Sequence, residues 1–361
     1  MSQSRTLRAN LHTLESPEIS RLQFAMMERR LRRDIFQKSI VSLIKVRTVM
    51  PHADNGFKNI LVATDFSAFS SAALSQAVWL SRQTGARIVL ANTIPDLSMS
   101  AHWGPQEREQ NQRELSQRSD TAMRQMIVDL QVMDLDVKFR TLIGEPFVEI
   151  THAVQAEGYD LVLAGTRGLA KWERFFVGST AKRLIRKCPA AVWIVNAEHI
   201  GQPKVVLAAT DFSDASLKAV TQGLRLAQQS GAAFHLLHVV DSKDVPDDLV
   251  SRVPKGSSIR QEINDEAARR MEEFLNSLAV DRTQIQVHLS WGTPWQEIRR
   301  ISQHQAADLI VIGTVGRSGI QGVLLGNTAE KVLDTCDCSV LTIKPDDFVS
   351  PISGATRLPH Q

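Results

Sequence analysis

The chain is written twice. Ala63-Thr64-Asp65-Phe66-Ser67 returns as Ala209-Thr210-Asp211-Phe212-Ser213, an offset of 146. Gly144, Pro146, Asp160, Gly165, Gly168, Gly178 and Cys188 then return at 292, 294, 308, 313, 316, 326 and 336, an offset of 148. A period this long is a whole domain and not a unit of a solenoid, so the chain has to fold as two copies of one architecture. The small change of offset falls in the middle connections, where insertions do least harm.

Each copy alternates short apolar runs with stretches of helical period. In the first copy the runs lie at 59–63, 87–93, 137–142, 161–164 and 191–195. Helical segments are expected at about 70–83, 106–133, 147–157 and 179–187, the first closed by Gly85 as a C-terminal cap. Runs that are apolar throughout suit strands buried on both faces. Strand and helix in alternation therefore predict an α/β fold, with a parallel sheet of five strands in each copy. If the strand order is 3-2-1-4-5, each sheet has a crevice beyond the carboxyl ends of its first and fourth strands.

The expected divisions are an N-terminal basic helical extension (1–55), two repeat domains (56–197 and 203–346) and a C-terminal tail (347–361). Gly201 and Pro203 mark the linker between the domains. Residues 1–50 carry ten Arg and Lys against four acids, which leaves the body mildly acidic. A broad nucleic-acid surface needs a basic stripe, so none is expected there. No apolar run is long enough to span a bilayer, and residues 1–10 lack the apolar stretch of a secretory signal. Cys188, Cys336 and Cys338 are too few for a disulfide framework, and Cys336-Asp337-Cys338 has the wrong spacing for a CxxC site. Structural thiols and a cytoplasmic location are the expectation.

The chemistry gathers at two strand ends. Asp65 closes the first strand and Gly165 the fourth, and the second copy supplies Asp211 and Gly313. Gly165 and Gly168, with nine residues between Gly168 and Gly178-Ser179, suggest a loop with φ > 0 and no Cβ in the way of an anion. A helix opening at Ser179 offers unpaired amides and a dipole that favour negative charge, although Ser179 also suits an ordinary helix N-cap. Arg167, Lys171 and Arg174 are basic candidates nearby. His238, inside an apolar strand, reads as a hydrogen-bonded core residue; Trp172, Phe175 and Phe176 read as packing groups.

Gly165-x2-Gly168-x9-Gly178-Ser179 together with the Asp65 segment resembles the ATP-binding class of the universal stress protein family, over about residues 58–195 and 204–344. Gly313-Thr314-Val315-Gly316-Arg317 with Gly326-Asn327-Thr328-Ala329-Glu330 is similar to the bacterial E-type tandem members. The resemblance implies two tandem Rossmann-like (flavodoxin-like) five-stranded sheets in 3-2-1-4-5 order, adenine nucleotide binding, ATP or AMP with Mg as an optional companion, and dimers formed by pairing of fifth strands. By position, Asp65 and Asp211 contact the adenosine end. Gly165, Gly168, Gly178 and Ser179 line the phosphates in one half, and Gly313, Gly316, Gly326 and Asn327 in the other. The family's second strand often ends in His-Val; the second half keeps His238-Val239, whereas the first has Asn92-Thr93, so Thr93 and Val239 stand at the adenine wall. Asn327 departs from the usual Ser or Thr.

The resulting expectation is a stress-response protein that binds nucleotide in one or both halves, with no catalytic residue, no metal ligand and no dedicated reaction. Slow ATP hydrolysis or autophosphorylation stays open, as does a scaffold with empty sites. No HxGH pair, SGGxDS loop or GxxxxGK[ST] loop supports an enzyme. The two fifth strands are expected to pair within one chain as a pseudo-dimer, which leaves a homodimer open.

Overall fold

The computed structural model describes residues 56–132, 135–166, 177–241, 258–278, 284–316 and 325–352. The expected N-terminal helical extension lies outside them. Residues 55–361 form one compact unit.

The first half runs β1 (Asn59–Thr64), α1 (Ala68–Thr84), β2 (Arg87–Ile94), α2 (Pro105–Asp129), β3 (Val137–Ile143), α3 (Pro146–Glu157), β4 (Leu161–Gly165), α4 (Ser179–Lys187) and β5 (Ala191–Val195). The second runs β6 (Val205–Thr210), α5 (Asp214–Ser230), β7 (Ala233–Asp241), α6 (Ser258–Ser277), β8 (Ile285–Gly292), α7 (Pro294–His304), β9 (Leu309–Gly313), α8 (Asn327–Thr335) and β10 (Ser339–Ile343). Gly85 ends α1 in the left-handed conformation, as expected. Helix α2 stops at Asp129, short of the expected 133, because Gln131 turns to φ +50° and breaks the helical path.

Each half has the order 3-2-1-4-5, and the halves are not separate sheets. They join through β5 and β10 into one ten-stranded sheet, β3-β2-β1-β4-β5-β10-β9-β6-β7-β8. Within each half the pairing is parallel; across the seam it is antiparallel, with Val340, Leu341 and Thr342 opposite Ile194, Trp193 and Val192. Two edges that would each expose a row of unpaired amides and carbonyls thereby cover one another.

One apolar layer lies beneath α1, α2, α5 and α6 and includes Leu74, Met123, Leu224 and Met271; Trp193 and Leu341 carry it across the seam. The opposite layer holds Ile150 of α3, Leu184 of α4, Ile298 of α7 and Val332 of α8, and crosses at Ile194 and Val340. Strands β4 and β9 are buried on both faces, which explains their continuous apolar runs.

Asp160 and Asp308, repeated just before β4 and β9, brace the amino ends of the sheet. Asp160 accepts from the amides of Lys58 (2.7 Å) and Asn59 (3.2 Å). Asp308 accepts from those of Lys204 (2.6 Å) and Val205 (2.9 Å). By tying β1 to β4 and β6 to β9 at one end, these carboxylates fix which residues meet at the other.

Candidate functional site

At the carboxyl end of β1 the segment Thr64-Asp65-Phe66-Ser67 makes a tight turn into α1, and every polar side chain in it has a task. Thr64 Oγ1 accepts from the Phe66 amide (3.0 Å), and Asp65 Oδ1 from the Ser67 amide (3.1 Å) and hydroxyl (2.6 Å). Ser67 caps α1 by accepting from the Ser70 amide (3.3 Å). Thr210, Asp211, Phe212 and Ser213 repeat these bonds at 2.9, 3.1, 2.5 and 3.3 Å. Phe66 and Phe212 stand at φ +65° and +64°, a region L-residues enter at a cost. The local hydrogen bonds hold them there.

Gly165 and Gly313 lie beside this turn, but the reason for glycine differs from the one expected. Neither has positive φ. A Cβ on Gly165 would stand 2.6 Å from the carbonyl carbon and oxygen of Phe69, and one on Gly313 3.2 Å from the carbonyl carbon of Ala215. These glycines admit the first turns of α1 and α5 against the strand ends, so the space beside each Cα is filled by helix backbone and not left open for an anion.

Gly316 faces a different neighbour: a Cβ there would stand 2.7 Å from Asp211 Oδ2. The strand-end aspartate and the glycine segment, over a hundred positions apart in sequence, thus meet in one crevice. Its counterpart Gly168 lies outside the described residues, as do Arg167, Lys171, Trp172, Arg174, Phe175 and Phe176.

The second glycine of each motif closes the loop and opens a helix. Thr166 and Thr314 continue their strands by donating to Val195 and Ile343, and the Gly178 and Gly326 amides return to the Thr166 (2.9 Å) and Thr314 (2.7 Å) carbonyls. Gly178 and Gly326 are the N-caps of α4 and α8, so Ser179 and Asn327 are first helical residues, and neither helix has a side-chain cap. Ser179 is therefore not the N-cap it could have been. The first turn of each helix points amides outward without intrahelical acceptors, and both Ser179 and Asn327 are exposed.

The ends of β2 and β7 form the remaining wall. His238 is buried, and its Nδ1 donates to the Thr210 carbonyl at 2.9 Å, which places the proton on that nitrogen. Asn92 does the same work for the Thr64 carbonyl at 2.7 Å. The two residues are thus alternative donors to one acceptor. Behind the turn the halves differ. Asn92 Oδ1 accepts from Ser119 (2.9 Å), which lies 2.8 Å from Thr141 Oγ1, whereas His238 packs tilted against Phe212 with centroids 4.2 Å apart, and Phe274 approaches that ring at 5.6 Å. Thr93 and Val239 follow these positions and are half-buried.

Sequence reasoning singled out the aspartate of each turn and passed over its threonine, phenylalanine and serine. The signal was present in the identity of all five repeated residues. Burial pushes the thiols of Cys188 and Cys336 up to about 11 and that of Cys338 higher still, so all three stay protonated at neutral pH. Among the described residues, no group of three or more His, Cys, Asp or Glu could hold a metal ion, and no helix is long and apolar enough to cross a membrane.

Comparison with known proteins places this geometry. The model of the Universal stress protein family matches residues 56–196 and 203–344. Universal stress protein E of Salmonella typhi is 29% identical over 310 residues, covering 82% of this chain and 97% of that protein. The Escherichia coli K12 protein of the same description is 28% identical, covering 82% and 96%. Among solved structures, a putative universal stress protein from Pseudomonas aeruginosa UCBPP-PA14 superposes with a TM-score of 0.60 at 21% identity, covering 82% of this chain and 96% of that one. A universal stress protein from Archaeoglobus fulgidus gives 0.58 at 21% identity, covering 79% and 98%.

Proposed function

Because the chain belongs to the universal stress protein family, we propose that its strand-end crevices bind an adenine nucleotide, ATP or AMP, and that the protein acts in a stress response through occupancy of those sites and not through turnover of a substrate. The observation that carries this reading is the meeting of Asp211 with Gly316, which joins the first-strand end to the glycine segment. The residues present fit such a ligand. The uncapped first turns of α4 and α8 offer the amide donors and positive dipole end that a phosphate requires. The half-buried carboxylates of Asp65 and Asp211 offer acceptors for donors on the adenosine end.

In the second half Asp211 and Val239 would hold the nucleoside, and Gly313, Gly316, Gly326 and Asn327 the phosphates. In the first half Asp65 and Thr93 would take the former role, and Gly165, Gly168, Gly178 and Ser179 the latter. Gly165 and Gly313 would contribute only through their backbone groups, since their Cα faces are covered.

Equilibrium dialysis of the purified protein against ATP and AMP tests the reading. Saturable binding that weakens in Asp211→Ala is expected. Absence of binding at millimolar nucleotide would leave the family fold serving as an interaction scaffold.

A further inference from the structure

The seam between the halves follows a local two-fold axis, but its two sides are not alike. The offset of 148 equates Trp193 with Leu341, Lys182 with Glu330 and Arg186 with Asp334. Trp193 and Leu341 are opposite one another in the β5–β10 ladder, so the axis passes through a pair of unequal size. Both side chains are almost fully buried, at 1% and 0% exposure. On the helices above, Lys182 Nζ lies 2.5 Å from Asp334 Oδ1, and Arg186 pairs reciprocally with Glu330. The first half contributes only cations to this quartet and the second only anions.

Self-pairing in the same geometry would fail on both counts. Two first halves would set Lys182 against Arg186 of the other copy, twice, and would force two indoles into space packed for an indole and an isobutyl group. Two second halves would set Glu330 against Asp334, twice, and would leave a void where the indole stood. Thr342 Oγ1 also donates to the Val192 carbonyl at 3.1 Å, a bond that Ile194, its counterpart in the first half, has no hydroxyl to make. A half-exposed ion pair contributes little by itself. Discrimination is set by the difference between attraction and repulsion, and that difference is counted over four side chains at once.

We infer that the seam is a pairing code: the α4–β5 face of the first half accepts the α8–β10 face of the second half and rejects a copy of itself. Trp193, Lys182 and Arg186 carry the code on one side, and Leu341, Glu330 and Asp334 on the other. The fifth-strand edge is thereby closed to homodimerisation, and any association of whole chains uses another surface.

The test starts from the full chain with a protease site inserted between His199 and Ile200. The protein is folded, cleaved, unfolded in denaturant and refolded, and native mass spectrometry reads which halves have paired. Pairs of one first half with one second half are expected to exceed self-pairs more than tenfold. A statistical mixture, or halves that do not re-pair, overturns the inference. In the uncut chain, Lys182→Glu with Arg186→Glu is expected to lower the melting temperature, as is Glu330→Lys with Asp334→Lys, and the four changes together to restore it. Full additivity of the two losses would equally overturn it.

Discussion

Asp211 and Gly316 touch across the crevice so closely that a single methyl group would not fit: a Cβ on Gly316 would lie 2.7 Å from Asp211 Oδ2. The carboxylate cannot simply swing aside, because its other oxygen accepts from both the amide and the hydroxyl of Ser213. Gly316→Ala therefore pushes a braced group. The variant should lose about 1 kcal/mol of stability through weakened turn hydrogen bonds. Nucleotide affinity of the second half should fall about tenfold or more, equivalent to about 1.4 kcal/mol. Thermal melts and titration calorimetry read the two effects separately. If Asp211 transmits the damage, Asp211→Ala in the Gly316→Ala background should cost less affinity than it does alone.

Phe66 and Phe212 share a left-handed backbone and differ in what their rings meet. Phe66 is 38% exposed, whereas Phe212 lies between His238 and Phe274. Glycine relieves left-handed strain of about 1 kcal/mol but loosens the unfolded chain by a similar amount. Phe66→Gly should accordingly be close to neutral. Phe212→Gly also removes a packed ring, for which truncation costs about 3 kcal/mol. Denaturant melts should therefore separate the two variants by at least about 2 kcal/mol, and equal losses would show that the rings are in equivalent surroundings.

His235 Nδ1 and His288 Nε2 are 2.8 Å apart across β7 and β8, with rings stacked at 5.1 Å. Burial lowers both pKa values; His288 adds to the effect on His235, and Arg300 and His304 of α7 add to that on His288. A histidine that binds its proton less readily when folded gives stability that is full above its unfolded value, about 6.5, and is lost as pH falls toward the lowered folded value. The melting temperature should drop between pH 7 and 5. His288→Gln, which keeps a polar partner for His235 without a second titrating ring, should flatten that drop. An unchanged slope would place the acid sensitivity elsewhere.

The order of strands and helices was legible because β4, β5, β9 and β10 are buried on both faces and so appear as unbroken apolar runs. The roles within the site were less legible, because they depend on what approaches from far along the chain. That Gly165 is needed for the backbone of Phe69 emerges only when α1 is laid on β4. That Asn92 replaces His238 as donor to a threonine carbonyl emerges only from the shared acceptor. A phenylalanine in a left-handed turn carries no glycine to announce it. The complementary charges of Lys182 and Arg186 with Asp334 and Glu330 acquire meaning only once β5 and β10 are known to pair.

Lys344 reaches over the seam to cap a helix of the other half. Its Nζ donates to the carbonyl of Ile185, near the end of α4, and lies 4.3 Å from the centre of the Phe348 ring. Burial pulls its pKa from about 10.5 down to about 7, with Cys188 opposing weakly. A lysine whose folded pKa is lowered gives stability that is full above the unfolded value and is lost as pH falls through the folded one, so the seam should strengthen from pH 7 toward pH 10. The α4 carbonyl and the Phe348 ring both favour the charged form and moderate the effect. Lys344→Met removes the titration and the hydrogen bond together. Near pH 6, where the parent protein buries a charge, the variant should be nearly as stable; near pH 9 it should be weaker by about 2 kcal/mol, because the parent gains about 1.4 kcal/mol with each pH unit above its folded value and the variant does not. The raised cysteine thiols also bend the pH profile at the alkaline end, but they are common to both proteins. The difference between parent and variant melting temperatures at each pH is therefore the quantity to follow. A difference that stays constant from pH 6 to pH 9 would show that Lys344 keeps its proton throughout and acts only as a fixed positive cap on α4.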